Sequence, residues 1–97
     1  MPELQVIARH TMKAGAEEEV LALLPKLIEA VHTEPGNIEF TAYRQLDDPR
    51  TYVLLERYAS REAFAAHRET VHFKDIVLGQ LVPRLENRVI ELFDVTE

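Results

Sequence analysis

The chain contains no cysteine among its 97 residues. This absence excludes disulfide bonds, thiolate metal sites and thiol nucleophiles. The sequence also has no apolar run long enough to cross a bilayer. Its first residues carry neither the basic nor the apolar region of an export signal. We therefore expect a cytoplasmic protein with no membrane partner.

Positive charge is scarce as well. Eleven Lys and Arg stand against 17 Asp and Glu, which gives a net charge of −6 with His neutral. Phosphate binding needs a clustered positive face, so we expect no nucleic-acid partner. The sequence has no Gly-rich phosphate loop and no nucleophile elbow, so a nucleotide cofactor is not expected either. A chain of this length predicts one domain, residues 1–97.

Four segments carry the alternation, or the β-branched and aromatic enrichment, that is typical of strands. They are residues 4–12, 38–45, 51–58 and 88–95. Helical segments separate the first strand from the second and the third from the fourth. The order β-α-β-β-α-β predicts an α+β domain of the ferredoxin-like type, with a four-stranded antiparallel sheet.

Two crossovers connect the strands. The first is predicted as one helix, because the apolar stripe from Val20 to Val31 keeps its phase across Pro25. Pro25 is expected to kink this helix without ending it. The second crossover is predicted in two helical pieces. One runs over residues 61–68, and the next carries the apolar face of residues 73–81.

Both faces of the predicted sheet carry apolar residues. In the third strand Tyr52 and Leu54 point to one face, while Val53 and Leu55 point to the other. Apolar residues on two faces need two covering layers, and the helices supply only one. We therefore expect a homodimer that packs through its sheet faces.

Histidines are the first candidates for chemistry. His67 follows Phe64 by three residues and should share its inward face. His72 lies where the two helical pieces join. A metal site would need a third ligand, and these two histidines lack the i, i+4 spacing of a helical metal pair, so no metal site is expected. His32, at the end of the first helix, is expected to be a solvated residue that the helix dipole favours. His10, at the end of the first strand, is expected to hold an edge position without a functional role.

Glu56 is the other unusual residue, because a carboxylate stands in the most apolar strand. One interpretation is a structural ion pair with Arg57 or Arg88. The other is a site residue that shares a face with Tyr58, two positions on. The residues alone leave both open.

Several short motifs together resemble the antibiotic biosynthesis monooxygenase family, some members of which are described as quinol monooxygenases. They are Glu34-Pro35-Gly36-Asn37, Tyr43-Arg44, Asp47-Asp48-Pro49, the strand from Tyr52 to Tyr58, and the run from Ala66 to Phe73. The resemblance covers nearly the whole chain and implies a dimeric ferredoxin-like α+β barrel. The sequence departs from many members at three positions, having Asn37 for Cys, Tyr58 for Trp and Val71 for Pro.

The resemblance implies oxygenation of a small phenol, quinol or anthrone by dioxygen, without metal, flavin or haem. A His would act as general base. By resemblance the catalytic candidates are His72 first, then Glu56, His67 and Tyr58. Glu56 would orient a histidine, and Tyr58 or Asn37 would steady the oxyanion.

The remaining substrate-contact candidates are aromatic: Tyr52, Phe40 and Phe64. Two other functions stay open at this point. One is a cofactor-free isomerase of a small sugar-phosphate or lactone, and the other is a non-catalytic dimer that binds a ligand.

Overall fold

The computed structural model describes residues 2–95. Its elements follow the predicted order. They are β1 (Glu3–Met12), α1 (Glu17–Val31), β2 (Asn37–Arg44), β3 (Thr51–Tyr58), α2 (Arg61–Arg68), a π-helix (Phe73–Leu81), a 3-10 turn (Val82–Arg84) and β4 (Leu85–Val95). Among the helices within residues 2–95, none combines the length and apolar character needed to span a membrane.

The four strands form one antiparallel sheet in the order β2-β3-β1-β4. This confirms the ferredoxin-like α+β prediction. β1 and β3 are the central strands, and each of them is hydrogen-bonded to a neighbouring strand on both sides. β2 and β4 are the edge strands.

The first crossover is a single helix that contains Pro25, as predicted. Three acidic residues in its first turn favour the helix start, because the helix dipole is positive there. The buried stripe packs on the sheet and consists of Val20, Leu24, Leu27 and Val31.

β4 begins at Leu85, three residues before the predicted start at position 88. The extra length comes from pairing across a bulge between Thr11 and Met12, beyond which Met12 pairs with Leu85. The Lys13 amide then donates a hydrogen bond to the Arg84 carbonyl at 2.9 Å. Bulges of this kind depend on the partner strand and are not visible in the strand's own pattern.

The helical piece predicted around residues 73–81 winds as a π-helix. Phe73, Val77 and Leu81 are its buried residues, so the apolar face predicted for this segment is buried. π-helical turns are rare and often occur at functional sites. Here the π-helix forms one wall of the cavity described below.

Strand register places the helix-facing side chains in rows across β3, β1 and β4. The rows are Tyr52–His10–Arg88, Leu54–Ala8–Ile90 and Glu56–Val6–Leu92. Tyr52, Leu54, Glu56 and Tyr58 are all buried on this face, as their alternation predicts.

Gly36 brings the turn after α1 against the start of α2. A Cβ at this position would lie 2.5 Å from the Ala63 Cβ, closer than real carbon atoms approach. The Gly36 carbonyl also accepts a hydrogen bond from the Ala59 amide at 2.9 Å. The absence of a side chain at Gly36 therefore sets the distance between this turn and α2.

Gly36→Ala is expected to destabilise the protein by about 1–3 kcal/mol, the usual range for overpacking. Because the clash is with the Ala63 methyl group, the cost should shrink in an Ala63→Gly background. Urea denaturation of the four proteins of this double-mutant cycle measures the coupling.

Gly79→Ala is the matched control, since its Cβ would meet the Lys74 carbonyl oxygen at 3.4 Å, a mild contact. We expect little loss of stability there. An equal cost for Gly36→Ala with and without the Ala63 methyl group would show that this contact does not set the spacing.

Candidate functional site

A cavity of about 430 Å³ lies between the sheet and the second crossover. Pockets for small organic ligands start at about 300 Å³, so this one is large enough for a small aromatic molecule. Its apolar lining includes Val6, Leu27, Phe40, Leu54, Phe64, Phe73 and Val77. Its polar lining includes His10, Glu56, His67 and Arg88, with Arg68, Glu69 and Lys74 from the second crossover.

One carboxylate binds both histidines of the second crossover. Glu34 lies 2.9 and 3.0 Å from His67 Nδ1 through its two oxygens. The Oε2 of Glu34 also lies 2.6 Å from His72 Nε2. The Glu34 side chain is 9% exposed and that of His67 is 3% exposed. The three residues therefore form a buried hydrogen-bonded chain that runs from the cavity wall at His67 towards the half-buried His72.

Local hydrogen bonds hold the two segments that carry these three residues. The Glu34 amide donates a hydrogen bond to the Val31 carbonyl at 2.9 Å, which closes the turn after α1. The Thr70 hydroxyl donates to the His67 carbonyl at 2.7 Å and accepts from the Phe73 amide at 3.2 Å. Thr70 thus fixes the junction between α2 and the π-helix, and with it the relative positions of the two histidines.

Burial lowers the pKa of His67, although the neighbouring Glu34 carboxylate opposes the shift. A neutral imidazole carries one proton. Since Nδ1 faces a carboxylate, which only accepts, the proton belongs on Nδ1 and Nε2 keeps a lone pair. His67 packs between aromatic rings, with centroids 5.1 Å from Tyr58 and 5.2 Å from Phe73, so its orientation is fixed.

The carboxyl group of Glu56 is the second polar group that lines the cavity. Burial raises the pKa of the Glu56 carboxyl to about 7, against the effect of the Tyr58 hydroxyl, which donates a hydrogen bond to Oε1 at 2.6 Å. The charge of Arg88 lowers this pKa and that of Glu34 raises it, both to a smaller extent. Burial raises the pKa of Tyr58 above its usual value, so the phenol remains protonated.

A third polar group lies at the opposite end of the sheet face, in the row of Tyr52, His10 and Arg88. His10 Nδ1 lies 2.8 Å from the Tyr52 hydroxyl. Burial lowers the pKa of His10 to about 4, with a smaller effect from Arg88. His10 Nε2 and Arg88 Nε are buried without a hydrogen-bond partner in the part of the chain that the structure describes.

Most of the predicted site residues fall into two groups: some line the cavity, and others are hydrogen-bonded to a residue close to it. Glu56, His67, Phe40 and Phe64 line the cavity directly. Each of three others is hydrogen-bonded to a partner close to the site: Tyr58 to Glu56, His72 to Glu34 and Tyr52 to His10.

Asn37 lies outside this arrangement. Its amide nitrogen donates to the Glu39 carbonyl at 3.0 Å and to the Arg57 carbonyl at 3.4 Å, at the bulge where β2 meets β3. The side chain therefore supports the sheet edge and is not among the residues that line the cavity.

Two interpretations need correction. Glu56 was expected to orient a histidine, but its hydrogen bond is with Tyr58, and the carboxylate on both histidines is Glu34. Glu34 belongs to the Glu-Pro-Gly-Asn motif, and nothing within that motif indicates its two histidine partners. His10 was expected to hold an edge position, but it is buried in the central strand β1 and lines the cavity.

The Glu34 cluster also supplies the third ligand that the sequence did not reveal. One ligand atom from each of Glu34, His67 and His72 lies within 4.8 Å of the others. Two imidazoles and a carboxylate are a donor set that divalent transition metals accept. These residues could therefore hold such an ion, although their mutual hydrogen bonds already satisfy the same atoms.

Comparisons with known proteins identify the family to which this sequence and fold belong. The family model for antibiotic biosynthesis monooxygenases matches residues 4–77. A curated relative from Bacillus subtilis (strain 168), named "Putative monooxygenase YcnE", is 29% identical over 66 residues, which make up 68% of this chain and 70% of the relative.

Solved structures give the same result over nearly the full length. One described as an antibiotic biosynthesis monooxygenase has a TM-score of 0.90 at 27% identity, covering 97% of this chain and 99% of that one. A conserved protein from Methanosarcina mazei Go1 has a TM-score of 0.91 at 26% identity, covering 99% and 95%. Since the family model spans most of the sequence, this chain belongs to the antibiotic biosynthesis monooxygenase family.

Proposed function

We propose that the protein is a cofactor-independent monooxygenase of small phenols, quinols or anthrones, with dioxygen as co-substrate. The observation that carries this proposal is a buried histidine, hydrogen-bonded to a buried carboxylate, in the wall of a largely apolar cavity, where burial lowers the pKa of the imidazole. Such a cavity suits an aromatic substrate. A neutral, oriented imidazole suits the removal of a proton from it.

His67 is the general base in this proposal. His72 was the first choice from the family resemblance, but it is absent from the residues that line the cavity, whereas His67 lines it. When Nε2 of His67 takes a proton, the imidazolium lies 2.9 Å from the Glu34 carboxylate, which stabilises the new charge. His72 stands behind Glu34 and supports its position.

Glu56 acts as a hydrogen-bond donor in its protonated form. A carboxyl group with a pKa of about 7 is partly protonated at neutral pH. Its Oε1 accepts from Tyr58, so a proton on Oε2 is available to an oxygen of the substrate. Carboxylic acids kept neutral by an apolar site can stabilise a developing oxyanion in this way.

The chemistry balances without a cofactor. For an anthrone, His67 removes a proton from the ring CH₂, and the resulting carbanion adds dioxygen and is reprotonated to a hydroperoxide. Loss of the second CH₂ proton breaks the O–O bond and forms C=O. One oxygen atom enters the product and the other leaves as water, so the substrate supplies every electron.

The proposed assembly is a homodimer through the sheet face opposite the helices. That face carries the half-buried Val53 and Leu55 at its centre and the exposed Tyr43, Val89 and Phe93 nearer its edges. A second copy would cover these side chains, and a stable interface of this kind buries upwards of about 1,200 Å².

Sedimentation should therefore give twice the chain mass, and Leu55→Glu should give monomers. A wild-type monomer at micromolar concentration would exclude this assembly.

Oxygen uptake with a panel of hydroquinones and anthrones tests the function directly. We expect uptake by chelator-treated protein, with one atom of ¹⁸O from ¹⁸O₂ in the product.

His67→Gln should lower kcat by about a hundredfold or more because the general base is lost. Glu34→Gln should lower kcat with little change in KM, because the amide still occupies the same space but no longer stabilises the imidazolium.

His72→Gln is the matched control, since it removes the outer histidine of the same chain of hydrogen bonds, and it should cost less than His67→Gln. Unchanged turnover in His67→Gln would remove that residue from the mechanism. Proton exchange from the substrate without oxygen uptake would indicate an isomerase. A ligand-induced rise in Tm with neither reaction would indicate a binding protein.

The pH dependence of kcat tests the role of Glu56. As the pH rises through about 7, Glu56 loses its proton, can no longer donate a hydrogen bond and repels the substrate anion. Activity should therefore fall on the alkaline side. Glu56→Gln keeps a donor at every pH and an acceptor for Tyr58, so it should abolish this fall. Activity that rises through pH 7 in the wild type and is lost in Glu56→Gln would make Glu56 the base instead.

A further inference from the structure

We propose that the Arg88 end of the cavity binds an anionic oxygen, so that the substrates are aromatic compounds carrying a carboxylate or phenolate group. The inference depends on the proposed function only in calling the bound ligand a substrate. The binding site itself follows from two hydrogen-bond donors that the fold places side by side and leaves without an acceptor.

His10 and Arg88 are direct neighbours across β1 and β4, on the helix-facing side of the sheet. Both line the cavity. Their Nε2 and Nε atoms are buried and unpartnered within the residues the structure describes. Buried polar atoms without a partner are uncommon in folded proteins, and each requires an explanation such as a bound ligand.

The hydroxyl of Tyr52 fixes the tautomer of His10. It lies 2.8 Å from Nδ1, and burial raises the pKa of Tyr52, so the phenol keeps its proton. Among residues 2–95 this hydroxyl has no other acceptor in hydrogen-bond range, so it donates to Nδ1. A neutral His10 must then carry its own proton on Nε2. The unpartnered Nε2 is therefore a donor, as is the unpartnered Nε of Arg88.

Arg88 also brings a positive charge that the partly protonated Glu56 carboxyl offsets only in part. The ion pairs found within residues 2–95 do not include this guanidinium, although it is half-buried. Two other cations of the cavity are already engaged: Lys74 pairs with Glu69 at 3.3 Å, and Arg68 lies 5.4 Å from the Phe64 ring centroid. A partly buried charge is stabilised by an opposite charge that also accepts its hydrogen bonds. Carboxylate and phenolate oxygens meet both requirements.

The strand register also sets the shape of the ligand. The row of Tyr52, His10 and Arg88 lies four residues from the row of Glu56, which is about 13 Å along a strand. One polar end of the cavity is therefore the anion site, and the other holds Glu56 and His67. A ligand that contacts both ends lies along the strand direction, and the cavity volume of about 430 Å³ accommodates a fused aromatic acid or phenol.

Calorimetric titration with 2-naphthoate and 2-naphthamide tests the site, because the two probes share a ring system and differ in charge. The wild type should bind naphthoate about tenfold more tightly or better, as a charge-assisted hydrogen bond predicts. Arg88→Met should reduce this preference to about twofold or less. Arg88→Lys should keep part of it, since the charge remains while the planar fork is lost.

Lys74→Met is the matched control, because it removes a cavity cation that is already paired, and it should retain the preference. Far-UV circular dichroism checks that each variant is folded, and Arg88→Lys supplies the test if Arg88→Met does not fold. Equal affinities for the two probes in the wild type, or no binding of either, would overturn the inference. So would an unchanged preference in folded Arg88→Met.

The two proposals fail separately. A protein that prefers naphthoate through Arg88 but takes up no oxygen with any phenol or anthrone keeps the anion site and loses the monooxygenase function. A protein that incorporates ¹⁸O but shows no preference between the probes keeps the function and loses the anion site.

Discussion

The Glu34 carboxylate is the constraint on which the arrangement of the site depends. It is 9% exposed and accepts hydrogen bonds from two histidines that lie 33 and 38 residues further along the chain. A buried carboxylate is costly unless such donors surround it. The same contacts therefore join the turn after α1 to both halves of the second crossover and hold His67 in the cavity wall.

The sheet supplies the other half of the site through strand alternation and register. Residues of one face line the cavity, and rows across three strands decide which of them meet, so that His10 faces Arg88. A slip of one residue between β1 and β4 would turn a whole strand face over. The polar groups of the cavity are thus set by the same pairing that buries Val6 and Leu54.

Local pattern predicts much of this fold, because alternation and helical spacing are local properties. The bounds of β3, the continuity of α1 through Pro25 and the shared face of Glu56 and Tyr58 all follow from spacing within one element. The inward direction of His67 follows in the same way from its distance to Phe64.

Contacts between distant segments could not be predicted in this way. Glu34 stands in a turn motif, and nothing within that motif indicates two histidines from another crossover. The partnership of His10 with Arg88 requires the register of β1 and β4, and the early start of β4 at Leu85 requires the irregular pairing between these two strands. The choice between His67 and His72 as the cavity residue depends on how the junction after α2 folds.

Nitrogen-15 NMR of the His67 imidazole tests most directly the claim that a neutral histidine, held by Glu34, presents a free lone pair to the cavity. At pH 7 the ring should be neutral, with the proton on Nδ1 and none on Nε2, and the Nδ1 resonance should shift in Glu34→Gln. An imidazolium at pH 7, or a neutral ring with its proton on Nε2, would contradict the claim.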